Sequence, residues 1–325
     1  MTKDTVLFLL REREGCFLSG EELAAKLSLS RTAVWKAVAQ LKREGYPIEA
    51  LPRRGYRLAA GGDVLSAENV YRRLRHRELT VEVYPSLPST NTALKARAAE
   101  GAPEGLVLIA EEQTAGRGRM GRSFYSPAGS GLYMSLLLRP RCTAREATAL
   151  TACAAVAVAE TIEALSGQPA RIKWVNDVLM GDRKVCGILT EASLDCESGT
   201  LSYAVIGIGV NIAIPAEGFP EELRGIAGAA FTGCSLAELR AKLAAGILDR
   251  LMDYADDPGN THCYDAYRAR SMALGRTVKL LRPGQAPERA EVLGLERDYA
   301  LLVRGADGAV RRISSGEISL RLSEG

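Results

Sequence analysis

A run of small residues near position 60 divides the chain into two parts of different character. The run, Ala59-Ala60-Gly61-Gly62-Asp63, is typical of a linker rather than of a helix or a strand. Apolar residues recur at helical spacing before it, whereas strand-like apolar runs alternate with longer helical segments after it. Because 325 residues also exceed the usual length of one domain, we predict a small N-terminal domain over residues 1–62 and a separate fold beyond it.

Three helix signals precede the linker. Helical spacing of apolar residues predicts a first helix over residues 2–13, and Ser19 precedes Glu22 in an S-x-x-E capping box. Ser30 precedes a third segment, whose apolar residues Val34, Val38 and Leu41 lie at i, i+4 and i+7. Residues 46–58 then alternate around a Pro and Gly turn and predict a hairpin. This order of elements is that of a winged helix, which indicates a DNA-binding module.

The predicted hairpin has a basic tip. Arg53, Arg54 and Arg57 have no acidic residue between them, which suits contacts with phosphate. A solvated turn is the alternative explanation for the hairpin alone. The net charge of +3 is too small to indicate nucleic-acid binding by the whole molecule, so such a role must be local. The predicted DNA-binding residues are Arg31, Thr32, Trp35, Lys36, Arg53 and Arg54.

The remainder of the chain has an α+β pattern without regular βαβ repeats. We predict helices over residues 90–100, 144–165 and 236–253. The predicted strands span residues 81–84, 106–110, 132–138, 172–174, 188–191 and 203–210. Short strands from Gly275 onward, over residues 277–281, 289–295, 301–304 and 310–313, suggest a small barrel. We therefore predict a central domain over residues 63–273 and a C-terminal domain over 274–325.

Several classes of protein are disfavoured. The seven cysteines form no C-x-x-C pair and there are only two histidines, so we expect reduced thiols, no protein-built metal site and no histidine-centred triad. The N-terminus does not resemble a signal peptide. The Ala-rich segment 147–165 contains Glu160 and Glu163 and falls short of the apolar length of a membrane span. We expect a cytoplasmic protein.

The most informative segment is the loop Gln113-Thr-Ala-Gly-Arg-Gly-Arg-Met-Gly-Arg122. Its glycines allow positive φ and close backbone approach, and its arginines concentrate positive charge around backbone N–H groups. It matches neither the dinucleotide fingerprint nor the P-loop. Such a loop suits a phosphate, and a charged surface loop is the alternative. We predict that the chain uses ATP to activate a small carboxylic acid.

Four other segments carry polar groups suited to the same chemistry. Lys173-Trp-Val-Asn-Asp177 is followed by Lys184, which starts a strand and is close to Gly187. A lysine in this position can face a transferring phosphoryl or acyl phosphate group. Asp177 can deprotonate an incoming amine, assist a metal or simply cap a turn. Ser89-Thr-Asn91 opens a helix, where a hydroxyl can also be a plain N-cap, and Gly207-Ile-Gly-Val-Asn211 ends an apolar strand.

In order and spacing, these motifs together resemble the biotin-protein ligases, and the winged helix in front makes the chain similar to the bifunctional ligase and biotin operon repressor type. The resemblance covers nearly the whole chain. It implies a winged helix-turn-helix domain, a central α+β ligase domain with a mixed sheet, and a small SH3-like β-barrel. It also implies formation of biotinyl-5′-AMP from biotin and Mg²⁺-ATP, transfer of biotin to the biotin carboxyl carrier protein of acetyl-CoA carboxylase, and operator binding by an adenylate-dependent homodimer.

The resemblance also assigns roles to individual residues. The implied biotin-binding residues are Ser89, Thr90, Asn91, Gln113, Arg117, Gly118, Arg119, Lys184 and Gly187. The implied ATP- or adenylate-binding residues are Arg122, Asn176, Asn211 and Arg321. Lys184, Arg119 and Asp177 are the implied catalytic residues, and no protein metal ligand is assigned.

Two positions depart from the family pattern. Val175 stands where proline is usual and Phe124 where tryptophan is common, although neither change removes a charged or hydrogen-bonding group. A lipoate ligase is one alternative, disfavoured by the arginine-rich loop and the winged helix. A transcription factor that senses a ligand without converting it is the other, disfavoured because a sensor needs affinity but does not need both Lys184 and Asp177.

Overall fold

The computed structural model describes residues 2–13, 15–43, 46–59, 65–140, 142–143, 147–195, 200–232, 239–255, 261–282 and 286–320. They belong to two compact units. The first comprises residues 1–72 with 233–242, and the second comprises residues 73–232 with 243–325.

The first unit is a helical module with a hairpin, as predicted. Its elements are α1 (Thr2–Glu12), α2 (Gly20–Leu27), α3 (Arg31–Arg43), β1 (Ile48–Leu51), β2 (Gly55–Leu58) and α4 (Ala67–Tyr71). The predicted caps are confirmed, because Ser19 Oγ accepts a hydrogen bond from Glu22 N at 3.0 Å and Ser30 Oγ accepts one from Ala33 N at 3.1 Å. The stripe Val34, Val38 and Leu41 is buried in the core of this unit. The short helix α4 was not predicted.

The hairpin is held against the chain segment that precedes α2. Leu18 and Tyr56 exchange two backbone N–H···O hydrogen bonds of 2.8 Å. Gly55 begins β2 with φ +94°, and a Cβ there would lie 2.1 Å from the carbonyl oxygen of Leu18. The glycine in the predicted turn is therefore needed for both conformation and space.

The second unit is built on a seven-stranded sheet. Its strands are β3 (Thr80–Tyr84), β4 (Leu106–Ala110), β5 (Gly131–Leu138), β6 (Arg171–Lys173), β7 (Asp177–Met180), β8 (Arg183–Leu194) and β9 (Leu201–Asn211). The strand order is β3-β4-β5-β9-β8-β7-β6, with β3 and β4 parallel and the other neighbours antiparallel. The sheet is therefore mixed, as the resemblance implies. The short strand β7 and the first five residues of β8 were not predicted as strands.

Four helices accompany this sheet. They are α5 (Thr90–Ala99), α6 (Ala147–Ser166), α7 (Leu239–Ala255), most of which belongs to the second unit, and α8 (Thr261–Arg270). The first three agree with the predicted helices within a few residues, and α8 was missed. In α8, Cys263, Ala266 and Tyr267 form a buried stripe at i, i+3 and i+4.

Helix α6 is long and apolar enough to cross a membrane by length and composition, and no other described helix meets that test. The sequence-based argument that this segment is too short is therefore wrong. Residues 151–159 of α6 are buried, and the helix packs against β8, β9 and α8. Its hydropathy is thus accounted for by its position in the core.

The C-terminal strands form a separate five-stranded sheet. They are β10 (Thr277–Leu281), β11 (Glu288–Leu295), β12 (Leu301–Gly305), β13 (Val310–Ile313) and β14 (Glu317–Ser319), ordered β13-β12-β11-β10-β14 with antiparallel pairing throughout. Residues of alternating burial in β10 to β12 give the sheet one apolar face. The predicted small C-terminal β domain is confirmed, with β14 as an additional strand.

The close approach at Gly55 yields a stability prediction. We expect Gly55→Ala to destabilise the first unit by about 3 kcal/mol or more, because the new Cβ adds a backbone clash to the cost of positive φ. Gly15→Ala is the matched control, since Gly15 has φ +79° but no atom within 4 Å of the position that a Cβ would take. That control should lose only about 1–2 kcal/mol.

Hydrogen–deuterium exchange of the full chain checks this expectation. Amides of residues 15–58 should exchange faster in Gly55→Ala than in Gly15→Ala, and those of β4, β5 and β9 should be unchanged in both. Equal protection in the two variants would contradict the steric argument.

Candidate functional site

A patch without side chains lies on one face of the central strands. Gly187 of β8 is the register partner of Gly209 of β9, and Gly207 lies two residues before Gly209 on the same face. A Cβ at Gly207 would lie 2.0 Å from Asn91 Oδ1, and one at Gly209 would lie 2.6 Å from the ring of Phe124. The glycines therefore form a floor against which other side chains lie directly.

The start of α5 supplies polar groups above this floor. Ser89 Oγ caps the helix by accepting a hydrogen bond from Thr92 N at 3.4 Å, so its cap role is confirmed. Gln113 Oε1 accepts hydrogen bonds from Thr90 N at 2.9 Å and from Thr90 Oγ1 at 3.1 Å. Ser135 Oγ lies 2.8 Å from Thr90 Oγ1 and 2.6 Å from Asn91 Oδ1. These contacts fix the orientation of the whole Ser-Thr-Asn element.

The loop that follows Gln113 is closed on itself by backbone hydrogen bonds. Phe124 N donates to Gly116 O at 2.9 Å, and Gly118 N donates to Arg122 O at 2.7 Å. Gly116 provides space, because a Cβ there would lie 2.3 Å from Phe124 O. Positive φ occurs at Met120, with φ 55°, and at Gly121, with φ 75°. Of the three loop glycines, only Gly121 therefore has the positive φ that glycine permits.

Each arginine of the loop has an anionic or carbonyl partner. Arg117 Nη1 donates to both oxygens of Glu191 at 3.1 and 3.0 Å. Arg119 donates to Asn176 Oδ1 and to the carbonyl of Gly316, both at 3.0 Å. Arg122 forms an ion pair of 2.9 Å with Glu317. The loop is therefore attached to β8, to the segment before β7 and to the start of β14.

A lysine and carboxylate pair lies next to the loop. Lys184 Nζ lies 2.6 Å from Asp177 Oδ1, whereas Lys173 Nζ lies 3.9 Å from Asp177 Oδ2. The short contact is an ion pair with a buried carboxylate oxygen. Because a carboxylate oxygen has two lone pairs, Asp177 Oδ1 can accept a second proton donor or a cation beside Lys184.

These residues enclose two neighbouring cavities within the second unit. The first has a volume of about 50 Å³ and the second about 380 Å³. The predicted biotin-binding residues that line the first cavity are Ser89, Thr90, Asn91, Gln113, Arg117, Gly118, Arg119, Lys184 and Gly187. The second is lined by the predicted adenylate residues Arg122, Asn176 and Asn211, together with Asp177. Arg119, Asn176 and Lys184 line both cavities, so they stand where the two meet. The predicted Arg321 lies outside the described residues.

The two departures from the family pattern are both accommodated. The ring of Phe124 lies on Gly187 and Gly209, lines both cavities and makes an edge contact with Tyr133 at 6.4 Å between ring centroids. Val175 is buried, and its carbonyl oxygen accepts a hydrogen bond of 3.3 Å from the hydroxyl of Tyr267. Trp174, beside it, is 2% exposed and donates its indole N–H to the carbonyl of Tyr299 at 2.8 Å.

Two carboxylates that were not predicted from the sequence, Glu191 and Glu317, orient the site. Glu191 accepts hydrogen bonds from Arg117, from Lys95 at 2.7 Å and from Asn91 Nδ2 at 3.1 Å. Burial by itself would raise the pKa of Glu191, but the hydrogen bonds from Lys95 and Asn91 lower it below the ordinary value. Glu191 lies within β8 and has no distinctive local sequence pattern, so only its tertiary partners reveal this role.

The first unit has a groove of about 850 Å³ between α3 and the hairpin. The predicted DNA-binding residues Arg31, Thr32, Trp35 and Arg53 line it, and Trp35 is 60% exposed. Lys36 and Arg54 are exposed but are not part of the lining. Arg31 forms an ion pair of 2.9 Å with Glu21.

Of the three hairpin arginines expected to suit phosphate contacts, Arg57 has an acidic neighbour across the hairpin. Its guanidinium forms an ion pair of 2.5 Å with Glu49, which the antiparallel register places opposite it. Arg54 and Arg57 also lie over the ring of Phe17, each 4.6 Å from its centroid.

Three family models match separate segments of the chain. Residues 83–211 match the biotin/lipoate A/B protein ligase family, residues 2–57 match an HTH domain, and residues 273–321 match the biotin protein ligase C-terminal domain.

Full-length relatives and solved structures agree with these matches. The chain is 34% identical to the bifunctional ligase/repressor BirA of Bacillus subtilis, over 94% of each chain, and 32% identical to that of Escherichia coli, over 95% of each. A structure of biotin protein ligase from Aquifex aeolicus in complex with biotin and ATP superimposes with a TM-score of 0.61 at 28% identity, covering 75% of this chain and 99% of that one. The chain therefore belongs to the biotin protein ligase family and, within it, to the bifunctional ligase/repressor type.

Proposed function

We propose that this protein converts biotin and ATP into biotinyl-5′-AMP and transfers the biotinyl group to a lysine of the biotin carboxyl carrier protein of acetyl-CoA carboxylase. The observation that carries the proposal is the pair of neighbouring cavities that share Arg119, Asn176 and Lys184. The first cavity is small, but its lining of hydrogen-bonding groups and backbone suits a partly apolar acid, and the larger second cavity suits a nucleotide. The shared residues lie where a carboxylate and an α-phosphate would meet.

The first chemical step is attack of the biotin carboxylate on the α-phosphorus of ATP, with release of pyrophosphate. No protein nucleophile is required, because the carboxylate itself forms the new bond. Both reactants are anionic, so the protein has to hold them together and offset the charge that develops on the phosphoryl oxygens. Lys184 and Arg119 are the cations placed for this task, with Arg117 close to the acid.

Asp177 is suited to two tasks. In the transfer step, a carrier lysine attacks the acyl carbon of the adenylate and AMP leaves, which requires loss of a proton from the amine. The free acceptor capacity of Asp177 Oδ1 beside Lys184 fits a group that takes or steers that proton. The same oxygen fits a single carboxylate ligand for Mg²⁺, which would arrive with ATP, neutralise phosphate charge and take its other ligands from phosphates and water.

We further propose that the first unit binds operator DNA and represses transcription when the adenylate is bound and the protein forms a homodimer. The exposed face of α3 and the hairpin tip provide base-reading and phosphate-contacting groups, respectively.

The proposed domain limits are 1–62, 63–273 and 274–325, and the proposed location is the cytoplasm.

Two competing functions are separable by assay. A lipoate ligase would show lipoate-dependent rather than biotin-dependent exchange between ATP and pyrophosphate. A sensor that only binds its ligand would show neither exchange nor transfer. Biotinylation of a biotin carboxyl carrier domain in the presence of ATP and magnesium is the direct test of the proposed function, and a failure of that transfer with intact protein would reject it.

The position of Lys184 yields the first activity prediction. We expect Lys184→Ala to lower biotin-dependent ATP–pyrophosphate exchange by at least about 100-fold, because it removes the ammonium shared by both cavities. Lys173→Ala is the matched control, since Lys173 lines only the second cavity and is farther from Asp177. The control should lose much less activity, and near-normal exchange in Lys184→Ala would contradict the assignment.

The glycine floor yields the second prediction. We expect Gly207→Ala to weaken biotin binding by roughly 100-fold, because its methyl group would displace Asn91 from above the floor. Gly294→Ala in β11 is the control, as a Cβ there meets nothing within 4 Å.

Isothermal titration with biotin alone measures this effect without catalysis. The thermal unfolding midpoint of each variant shows whether the fold is retained. Wild-type affinity in a folded Gly207→Ala protein would show that biotin does not bind at this floor.

The DNA-binding proposal yields the third prediction. In vitro selection from random duplexes, with biotin and ATP present, should recover a site with two half-sites, bound with an affinity that falls steeply with salt. Arg53→Ala should weaken binding about equally for all sequences and lower the salt slope by roughly one.

Lys26→Ala serves as the control for charge, because Lys26 is paired with Glu22 on α2 and does not line the groove. A protein that remains monomeric with both substrates and selects no sequence would reject the repressor role while leaving the ligase role intact.

A further inference from the structure

Two cysteine thiols meet in the interior of the second unit. Cys153 lies on α6 and Cys263 on the first turn of α8, and their sulfur atoms are 2.9 Å apart. The residues are 110 positions apart in sequence, and both side chains are buried. Neither lines the two cavities assigned to biotin and ATP.

The separation of the sulfurs is intermediate between that of nonbonded atoms and that of a bond. A disulfide has an S–S length of about 2.05 Å, so the two sulfurs need to move together by only about 1 Å. The packing of α6 against α8 has already brought the two side chains face to face. Formation of the bond therefore needs the two sulfurs to approach by only about 1 Å.

Within the pair, the contacts of Cys263 favour its thiolate form. Its pKa is lowered, chiefly because the neighbouring Cys153 thiol stabilises a thiolate there. The hydroxyl of Tyr299, 3.4 Å from Cys263 Sγ, acts in the same direction, while burial opposes both. A thiolate with a second thiol at contact distance is the arrangement in which oxidation leads to a disulfide rather than to higher oxides.

We propose that Cys153 and Cys263 are a redox-active pair that forms a reversible disulfide in response to a hydroperoxide. The Cys263 thiolate attacks the peroxide, giving a sulfenic acid and, after protonation, an alcohol or water. The Cys153 sulfur then attacks the sulfenic sulfur, which forms the S–S bond and releases water. In total, two thiols and one hydroperoxide give one disulfide, one water and one alcohol, or two waters when the oxidant is hydrogen peroxide. A dithiol reductant reverses the change by thiol–disulfide exchange.

The disulfide would link α6 to α8, and Cys263 is connected to the second cavity through Tyr299 and Trp174. Tyr299 contacts Cys263 through its hydroxyl and accepts the indole N–H of Trp174 through its carbonyl, and Trp174 lines that cavity. A cross-link that closes a loop of this length restricts the unfolded chain strongly. The oxidised protein should therefore unfold at a temperature several degrees higher than the reduced one.

The test uses the purified full-length protein. One sample is reduced with dithiothreitol, and another is treated with a small excess of hydrogen peroxide. Both are then alkylated with N-ethylmaleimide under denaturing conditions. We expect the oxidised sample to carry two fewer alkyl groups, and its digest to contain a peptide pair joined through Cys153 and Cys263. Dithiothreitol should restore both thiols and the lower unfolding temperature.

Variants separate this pair from the other cysteines. Cys263→Ser should abolish the linked peptide and the rise in unfolding temperature, whereas Cys16→Ser, which alters an exposed cysteine, should retain both. Full alkylation of both thiols after peroxide treatment, or their conversion to sulfinic acids, would overturn the proposal. The mass measurement on the unaltered protein decides the matter even if a variant fails to fold, and it is independent of ligase activity.

Discussion

The glycines of β8 and β9 impose the constraint on which the site depends. Gly187, Gly207 and Gly209 remove the side chains from one face of two central strands, and the space is taken by Asn91 and Phe124. Any Cβ at Gly207 or Gly209 would overlap these side chains. A floor of backbone lets Asn91 and Phe124 lie directly on the sheet, and hydrogen-bonded neighbours fix the polar groups above it. The start of α5 and the arginine-rich loop are both arranged with respect to this floor.

The cations above this floor are held by partners in the protein. Glu191 holds Arg117, while Arg119 and Arg122 reach residues that lead into and begin β14, so the C-terminal sheet takes part in holding the loop. Such pairing keeps long side chains in one orientation, which reduces the entropy lost when an anionic ligand binds. Charge preorganisation of this kind suits a reaction whose catalysis consists of positioning and charge stabilisation.

Much of this protein was predictable from local sequence. Capping serines, helical stripes and turn residues located the winged helix, most of the helices and most of the strands, because each signal acts over a few residues. The arginine-rich loop, Lys184 and the Ser89-Thr-Asn91 element were recognised from their order and spacing, and the fold brings all of them to one place. Weak local signals caused the omissions: β7 has four residues, and α8 buries only one narrow stripe.

Other features exist only in the tertiary structure. Glu191 is an ordinary strand residue until Arg117, Lys95 and Asn91 converge on it from three other segments. The ion pair of Arg57 with Glu49 depends on the hairpin register, and the contact between the two cysteines depends on the packing of two helices. Sequence determined which residue types were present and which elements they form, because propensity and periodicity are local. Tertiary structure decided which of them meet, because contacts between distant segments are set by packing of the whole unit.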